Sequence, residues 1–229
     1  MSDDATLEAF RLADSFLPVG TYTVSYGLEQ FVADDRVTDA DELQTLLETY
    51  LGQQVGPAEL VALRAAHAAT LEDDIDRVCH VDRKLSAVTL AAEFRQSSQQ
   101  SGDRLLSLQQ DLRSGGELRA YAERVDAGDA PGNYAVVLGV ATALAGIDVR
   151  QACLICCHGF ATGLLGAAQR LLSLGYTDAQ RILSALRPAI TEAVEDSAHR
   201  TVEDMTPFAP LVEVLAADHE RAQRRLFVS

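Results

Sequence analysis

The chain is poor in cysteine and in lysine. Its 229 residues include 4 cysteines, and Lys84 is the only lysine. Three of the cysteines lie between positions 153 and 157, a clustering that does not resemble the disulfide framework of a secreted protein. The first residues, MSDDATLEAF, lack the basic and apolar regions of a signal peptide. We therefore expect a cytoplasmic protein.

Positive charge is scarce throughout the sequence. The chain has 19 Lys and Arg residues against 34 Asp and Glu residues, for a formal net charge of −15. Such a surface repels a phosphate backbone, so we expect no nucleic-acid partner. The sequence also lacks the phosphate-binding GxxxxGK[ST] loop and the GxSxG and HExxH signatures. These absences disfavour an enzyme, and we expect no cofactor.

The sequence has no long segment in which apolar and polar residues alternate, as they would in a half-buried strand. Helical spacing recurs instead, most clearly in the apolar positions between Leu43 and Leu51. Predicted helices cover about 6–13, 21–33, 40–51, 86–112, 133–145 and 211–223, and a further one begins at Gly56-Pro57. We predict an all-α single globular domain over residues 1–229, with roughly nine or ten helices and flexible ends at about 1–5 and 224–229.

We predict that the other helices surround a central apolar helix between Asp148 and Gly175. Asp148 is a good N-cap residue and Gly175 is a good C-cap residue. Within this stretch, Gly159, Gly163 and Gly166 are spaced so that they fall near one helix face. We interpret this face as one against which another helix packs closely.

A membrane-spanning helix is the alternative for this part of the sequence. The uncharged runs 130–147 and 151–169 approach the roughly 20 residues that a bilayer requires. Polar side chains, including Asn133, Gln151 and His158, interrupt the runs, and no basic loop marks a cytoplasmic side. We favour a buried core helix and expect no membrane association.

A cysteine cluster is the sharpest candidate for chemistry. Cys153, Cys156 and Cys157 are three or four residues apart, and His158 follows them, so they could hold a borderline metal ion. Structural sites usually need four ligands, and buried cysteine is a common core residue. We favour packing, with a nickel carrier using these four residues as the alternative.

Four segments carry a resemblance to a known family. The stretch DSFLPVGTYTVSYGLE (14–29) resembles the opening motif of the UreF family of urease accessory proteins. EFRQSSQQSGDRLL (93–106), GAAQRLLSLGYTDAQRIL (166–183) and DHERAQRRLFVS (218–229) are similar to later segments of the same family. Val24, Ser101 and Tyr176 stand where the family often has His, Met and Gln. Together the four segments span nearly the whole chain.

The resemblance implies an all-α, dimeric protein that is not itself an enzyme. UreF-like proteins bridge the UreD scaffold (also called UreH) and the GTPase UreG, and help nickel and carbon dioxide reach the urease active site. The expected partners are therefore a UreD/UreH-like scaffold, a UreG-like GTPase, urease apoprotein through the complex, and a second copy of this chain.

The resemblance also implies which residues bind partners. The C-terminal tail is expected to order on the scaffold, and the opening motif to lie on or under the surface that meets the GTPase. The alternative is that Pro18 and Gly20 only shape a turn. The partner-binding residues implied in this way are Pro18, Gly20, Tyr22, Ser25, Gly27, Glu29, Arg95, His219, Arg225, Leu226 and Phe227.

Overall fold

A computed structural model describes residues 2–20, 25–113 and 116–220, without the side chains of Glu117 and 216–220. Within these ranges the chain forms twelve α-helices, one π-helical segment and one 3₁₀ turn, and no strand. The predicted all-α fold is therefore confirmed. The helices outnumber the nine or ten expected because some predicted helices are divided.

The helices follow one another with short connections. The π-helical segment Leu51–Leu60 continues directly from α3 into α4, and the 3₁₀ turn Val202–Asp204 precedes the last helix. In chain order the α-helices are α1 (Asp3–Ala13), α2 (Leu28–Ala33), α3 (Ala40–Tyr50), α4 (Val61–Leu71), α5 (Ile75–Val88), α6 (Ala92–Leu112), α7 (Gly116–Asp126), α8 (Tyr134–Leu144), α9 (Val149–Leu171), α10 (Tyr176–Ala185), α11 (Arg187–Ser197) and α12 (Pro210–Glu220).

The predicted central helix is α9, which packs against α1, α2, α4, α8, α10 and α11. Its N-cap is Asp148, as expected, and the Asp148 carboxylate accepts a hydrogen bond from the Gln151 N–H at 3.0 Å. The predicted C-cap was wrong, because the backbone becomes extended at Leu172 and ends the helix there. Gly175 is instead the N-cap of α10.

α9 is long and apolar enough to cross a membrane by length and composition, and it is the one such helix in the described ranges. In its most apolar window, 61% of the residues are buried inside the protein. Core helices of globular proteins pass the same length test, so this burial agrees with the preferred interpretation of a core helix.

Local backbone geometry shortens two of the predicted helices. The helix predicted for 21–33 begins at Leu28, because Tyr26 and Gly27 have positive φ angles of 49° and 76°. The helix predicted for 86–112 is interrupted at Thr89–Ala91, where the backbone is extended at Thr89 and Ala91. The first break lies inside the family-like segment 14–29, and the second lies just before the segment 93–106.

Two other helix starts differ from the prediction. Pro57, expected to begin a helix, lies inside the π-helical segment, where it has no N–H to donate to the helix backbone. Residues 3–5, expected in a flexible end, form the first turn of α1. Ser2 caps that turn by accepting a hydrogen bond from the Ala5 N–H at 3.1 Å, and Ala5 is buried.

Candidate functional site

The first half of the opening motif is a turn with alternating exposed and buried residues. Asp14 starts the turn by accepting a hydrogen bond from the Phe16 N–H at 2.8 Å. Leu17 and Val19 are buried in the core, whereas Phe16 and Pro18 are exposed. The two buried side chains hold the turn against the protein, and the other two face solvent.

The backbone conformation at the end of this turn favours glycine, and an arginine side chain lies close to it. Gly20 has a φ angle of +78°, a conformation that L side chains rarely adopt. A Cβ atom built at Gly20 would also lie 1.6 Å from Nη1 of Arg104. The guanidinium of this α6 residue therefore lies directly against the Gly20 backbone.

The second half of the motif is anchored in an aromatic cluster. The Tyr26 ring contacts Phe160, Phe94 and Tyr50 edge to face, with ring centroids 4.9, 5.6 and 6.5 Å apart. The Tyr50 hydroxyl donates a hydrogen bond to the Tyr26 carbonyl, which holds Tyr26 at its positive φ angle. Burial raises the pKa of both tyrosines. Tyr26 therefore anchors the described end of the motif, residues 25–29, in the core.

The described residues that we expected to bind partners differ in exposure. Pro18 is exposed and Gly20 and Glu29 are half-buried, whereas Ser25 and Gly27 are buried. Buried residues cannot contact a partner directly, so Ser25 and Gly27 act on the surface only by shaping the chain beneath it.

Arg95 is engaged within the protein. Its guanidinium Nη1 donates hydrogen bonds to the carbonyls of Thr89 and Leu90, both at 2.7 Å. These hydrogen bonds link α6 to the extended backbone between α5 and α6. His219 lies in α12, and its side chain is outside the described part of the chain. Tyr22, Arg225, Leu226 and Phe227 also lie outside the described residues.

A groove runs between the exposed turn, α9 and α10. Its volume is about 340 Å³, and Gly159, Gly163 and Gly166 line it. A Cβ atom built at Gly159 or at Gly166 would meet no other atom within 4 Å. At Gly159 and Gly166, therefore, no other helix packs closely against this face, contrary to the prediction, and both residues line the groove.

The groove is lined mainly by small, apolar and uncharged polar groups. Asp14 is the one charged residue among the described residues that line it. Tyr134 contributes to the lining, and burial raises the pKa of its hydroxyl. Tyr176 stands at the edge with 85% of its surface exposed. This lining offers no set of converging acids and bases for catalysis, and it suits contact with another protein.

The cysteine cluster is part of the core. Cys153, Cys156 and Cys157 are all buried, and burial raises the pKa of each thiol, to about 11 for Cys153. Metal ions bind the thiolate form, which this environment disfavours. Among the described residues, no group of three or more His, Cys, Asp or Glu side chains is placed to hold a metal ion. The packing interpretation is favoured over the nickel carrier.

The aromatic cluster and the groove were not predicted from the sequence. The only signal for the groove was the glycine spacing in α9, which predicts a close neighbour as readily as an open surface. The only signal for the cluster was Tyr26 itself, because Tyr50, Phe94 and Phe160 belong to three separate helices.

Comparison with known proteins identifies the family. Residues 37–187 match the family model described as UreF. The chain is 31% identical over 223 residues to urease accessory protein UreF of Trichodesmium erythraeum, covering 97% of this chain and 96% of that protein. Urease accessory protein UreF 1 of Brucella melitensis is 31% identical over 223 residues, covering 97% and 92%. Urease accessory protein UreF of Nostoc sp. is 31% identical over 229 residues, covering 100% and 98%. The chain therefore belongs to the UreF family of urease accessory proteins.

Proposed function

We propose that this chain is a non-catalytic assembly factor for urease. It bridges a UreD/UreH-like scaffold and a UreG-like GTPase, and so promotes nickel insertion into urease apoprotein. It acts in the cytoplasm as a homodimer. Support comes from membership of the UreF family and from relatives that are themselves named urease accessory proteins.

The observation that carries the proposal is the open glycine face of α9. Glycine inside a helix costs roughly 0.5–1 kcal/mol relative to alanine, and nothing within 4 Å would clash with a methyl group at Gly159 or Gly166. By contrast, a Cβ at Gly102 or Gly139 would lie 1.9 or 2.6 Å from a backbone carbonyl oxygen. Internal packing therefore explains Gly102 and Gly139, whereas close approach of a partner segment explains the α9 face.

The composition of the groove supports a binding role over a catalytic one. General acid–base catalysis needs a titratable group within hydrogen-bond reach of the reacting atoms and with a suitably shifted pKa. The described lining offers one exposed carboxylate, Asp14, beside amides, hydroxyls and apolar groups. Such a surface suits a partner helix or loop that brings its own side chains.

The test is co-purification of the scaffold, the GTPase and this chain from cells that express all three, with and without substitutions in the groove. Gly159→Ala/Gly166→Ala should raise the free energy of unfolding by about 1–2 kcal/mol, because both residues are helical and unobstructed. The same variant should weaken retention of a partner by roughly tenfold or more, and should lower urease activation in proportion.

Gly52→Ala is the matched control, because Gly52 is exposed and its added Cβ also meets no atom within 4 Å. It should leave co-purification and urease activation unchanged. If the groove variant co-purifies with its partners as well as the unsubstituted chain does, the groove is not the partner-binding site. Failure of the unsubstituted chain to join the other two would overturn the proposed function itself.

A further inference from the structure

We propose that the outward face of α1 is a second docking surface, specific for a protein segment with an apolar centre flanked by lysine or arginine. This surface consists of Asp3, Leu7, Phe10, Asp14 and Phe16. This proposal rests on the proposed assembly function, because the surface requires a protein partner. The surface adds a contact next to the groove.

α1 is apolar on both of its sides. The inner side carries Ala5 and Leu12, which are 2% and 3% exposed. The outer side carries Leu7 and Phe10, which are 64% and 68% exposed, and the following turn adds Phe16 at 91%. The inner side already attaches α1 to the core, so packing within the protein does not explain the three exposed side chains. Exposed apolar patches of this kind mark interaction sites.

The charges around this face select the kind of partner. Asp3, Leu7, Phe10 and Asp14 follow one another at intervals of four, three and four residues, so they form one stripe along the outer side. Asp3, Asp4 and Asp14 are exposed and pair with no cation among the described residues. The apolar pair is thus bracketed by unpaired carboxylates, which complement a basic partner.

Glu8, the third acidic residue of α1, is ion-paired within the protein. Glu8 binds Arg11 at 2.5 Å and Arg113, the residue after α6, at 2.9 Å, and the hydrogen bond from Arg11, with that from Arg113, lowers its pKa to about 2. The negative charge of Glu8 is therefore compensated by arginines of the same chain, and its ion pair with Arg113 ties α1 to the end of α6. Because α1 is held in this way, its outer face is already arranged for binding, which lowers the entropy lost on docking.

A second copy of the chain is a poor occupant for this face. Two-fold pairing through the same face would place the carboxylates of Asp3, Asp4 and Asp14 opposite the acidic residues of the same stripe in the second copy. Like charges placed opposite one another disfavour such a contact. The surface also continues into the groove, because Asp14 ends the stripe and lines the groove. A basic partner can therefore contact both.

The test compares two substitution pairs that leave the net charge unchanged. Leu7→Ser/Phe10→Ser should weaken binding of either the scaffold or the GTPase by at least about tenfold in biolayer interferometry. Leu71→Ser/Leu90→Ser is the control, because both leucines are 66% exposed on other elements, and it should bind as the unsubstituted chain does. Circular dichroism should show the same helix content in both variants.

A second pair tests the charges. Asp3→Asn/Asp4→Asn should weaken the same binding several-fold at low salt and reduce its salt dependence. Glu192→Gln/Asp196→Asn removes two exposed carboxylates from α11 and should have a smaller effect. Equal losses for the test and control pairs, or a change confined to self-association in sedimentation equilibrium, would overturn the inference.

One further measurement separates this inference from the proposed function. If the unsubstituted chain binds neither partner, the proposed function fails, and a fluorescein-labelled amphipathic helix of leucine and lysine then tests the α1 face alone. The inference requires this peptide to bind the unsubstituted chain more tightly than Leu7→Ser/Phe10→Ser by fluorescence anisotropy. Equal affinities for the two chains would refute it.

Discussion

At the scale of single residues, Glu59 is unusual because its half-buried carboxyl group has a strongly raised pKa. It belongs to the π-helical segment and borders a cavity of about 20 Å³, which Thr89 and Glu213 also line. The carboxylate makes no hydrogen bond or ion pair with the described residues. Burial raises its pKa from 4.5 to about 7. Glu59 is therefore partly protonated near neutral pH.

We predict that Glu59 makes stability depend on pH. Because its pKa is raised in the folded state, the folded chain binds a proton that the unfolded chain releases between about pH 4.5 and 7. Stability should therefore fall as pH rises through this range, by about 3 kcal/mol at 1.36 kcal/mol per unit. Glu59→Gln should remove this loss and be more stable than the unsubstituted chain at pH 8, as measured by urea unfolding at pH 5 and 8.

Glu192→Gln serves as the control for Glu59, because Glu192 is exposed on α11. Its stability should change with pH as that of the unsubstituted chain does. A Glu59→Gln variant that keeps the full difference between pH 5 and pH 8 would contradict the assignment.

Asp82 is a fully buried acid that the sequence did not mark. It accepts hydrogen bonds from the Tyr121 hydroxyl and the Gly132 N–H, both at 2.7 Å, and from the Asn133 N–H at 3.0 Å. These bonds offset the burial that raises its pKa. In a chain with 34 acidic residues, neither Asp82 nor Glu59 stands out by its neighbours in sequence. Only long-range contacts distinguish them from exposed carboxylates.

At the scale of elements, the crossing of α6 with the start of α8 depends on one glycine. The centre of α6 is rich in small polar residues, and α6 packs against α8. Ser97, Ser101 and Gly102 are buried there, and the Ser98 hydroxyl accepts a hydrogen bond from the Tyr134 N–H at 3.2 Å. The backbones approach closely because these side chains are small.

We predict that Gly102→Ala is strongly destabilising. Its Cβ atom would lie 1.9 Å from the Gly132 carbonyl oxygen, and Asp82 holds the Gly132 backbone in place. Backbone atoms must shift to relieve this clash, which should lower the free energy of unfolding by about 1–3 kcal/mol or more. Urea unfolding measures the change, and Gly52→Ala, which meets no atom within 4 Å, is the control. Equal stability of the two variants would show that the crossing is loosely packed.

The elements also show where helical patterns succeed and fail. Apolar spacing identified α3 and α9, and the Asp148 cap was placed correctly. The start of α2 was missed, because the positive φ angle of Tyr26 depends on a hydrogen bond from the distant Tyr50. The glycine face of α9 was recognised, but its neighbour was not, since spacing describes one helix and not what lies against it.

At the scale of the whole molecule, the C-terminal tail is expected to carry the scaffold contact. Leu226 and Phe227 are two apolar residues at the end of a chain with a net charge of −15. Burying each on a partner would contribute roughly 1.5–3 kcal/mol. Arg225 beside them could fix the register through a contact with a carboxylate or a carbonyl.

Deletion of 225–229 should abolish scaffold binding and leave the helical content intact. The described helices end at Glu220, so none of them loses a residue. Co-purification with the scaffold measures the binding, and circular dichroism checks the fold. Leu226→Ser/Phe227→Ser should reproduce the loss, whereas Gln223→Ala should not. A truncated chain that still retains the scaffold would show that the tail assignment is wrong.

The sequence by itself determined the helical class of this protein, its central helix and its family. These follow from residue spacing and from motifs, which are properties of neighbouring positions along the chain. Only the tertiary structure decided that Ser25 and Gly27 are buried, that the α9 glycines line a groove, and that burial raises the pKa of Glu59. Each of these depends on atoms brought close by folding from distant positions, and no local pattern records which atoms those are.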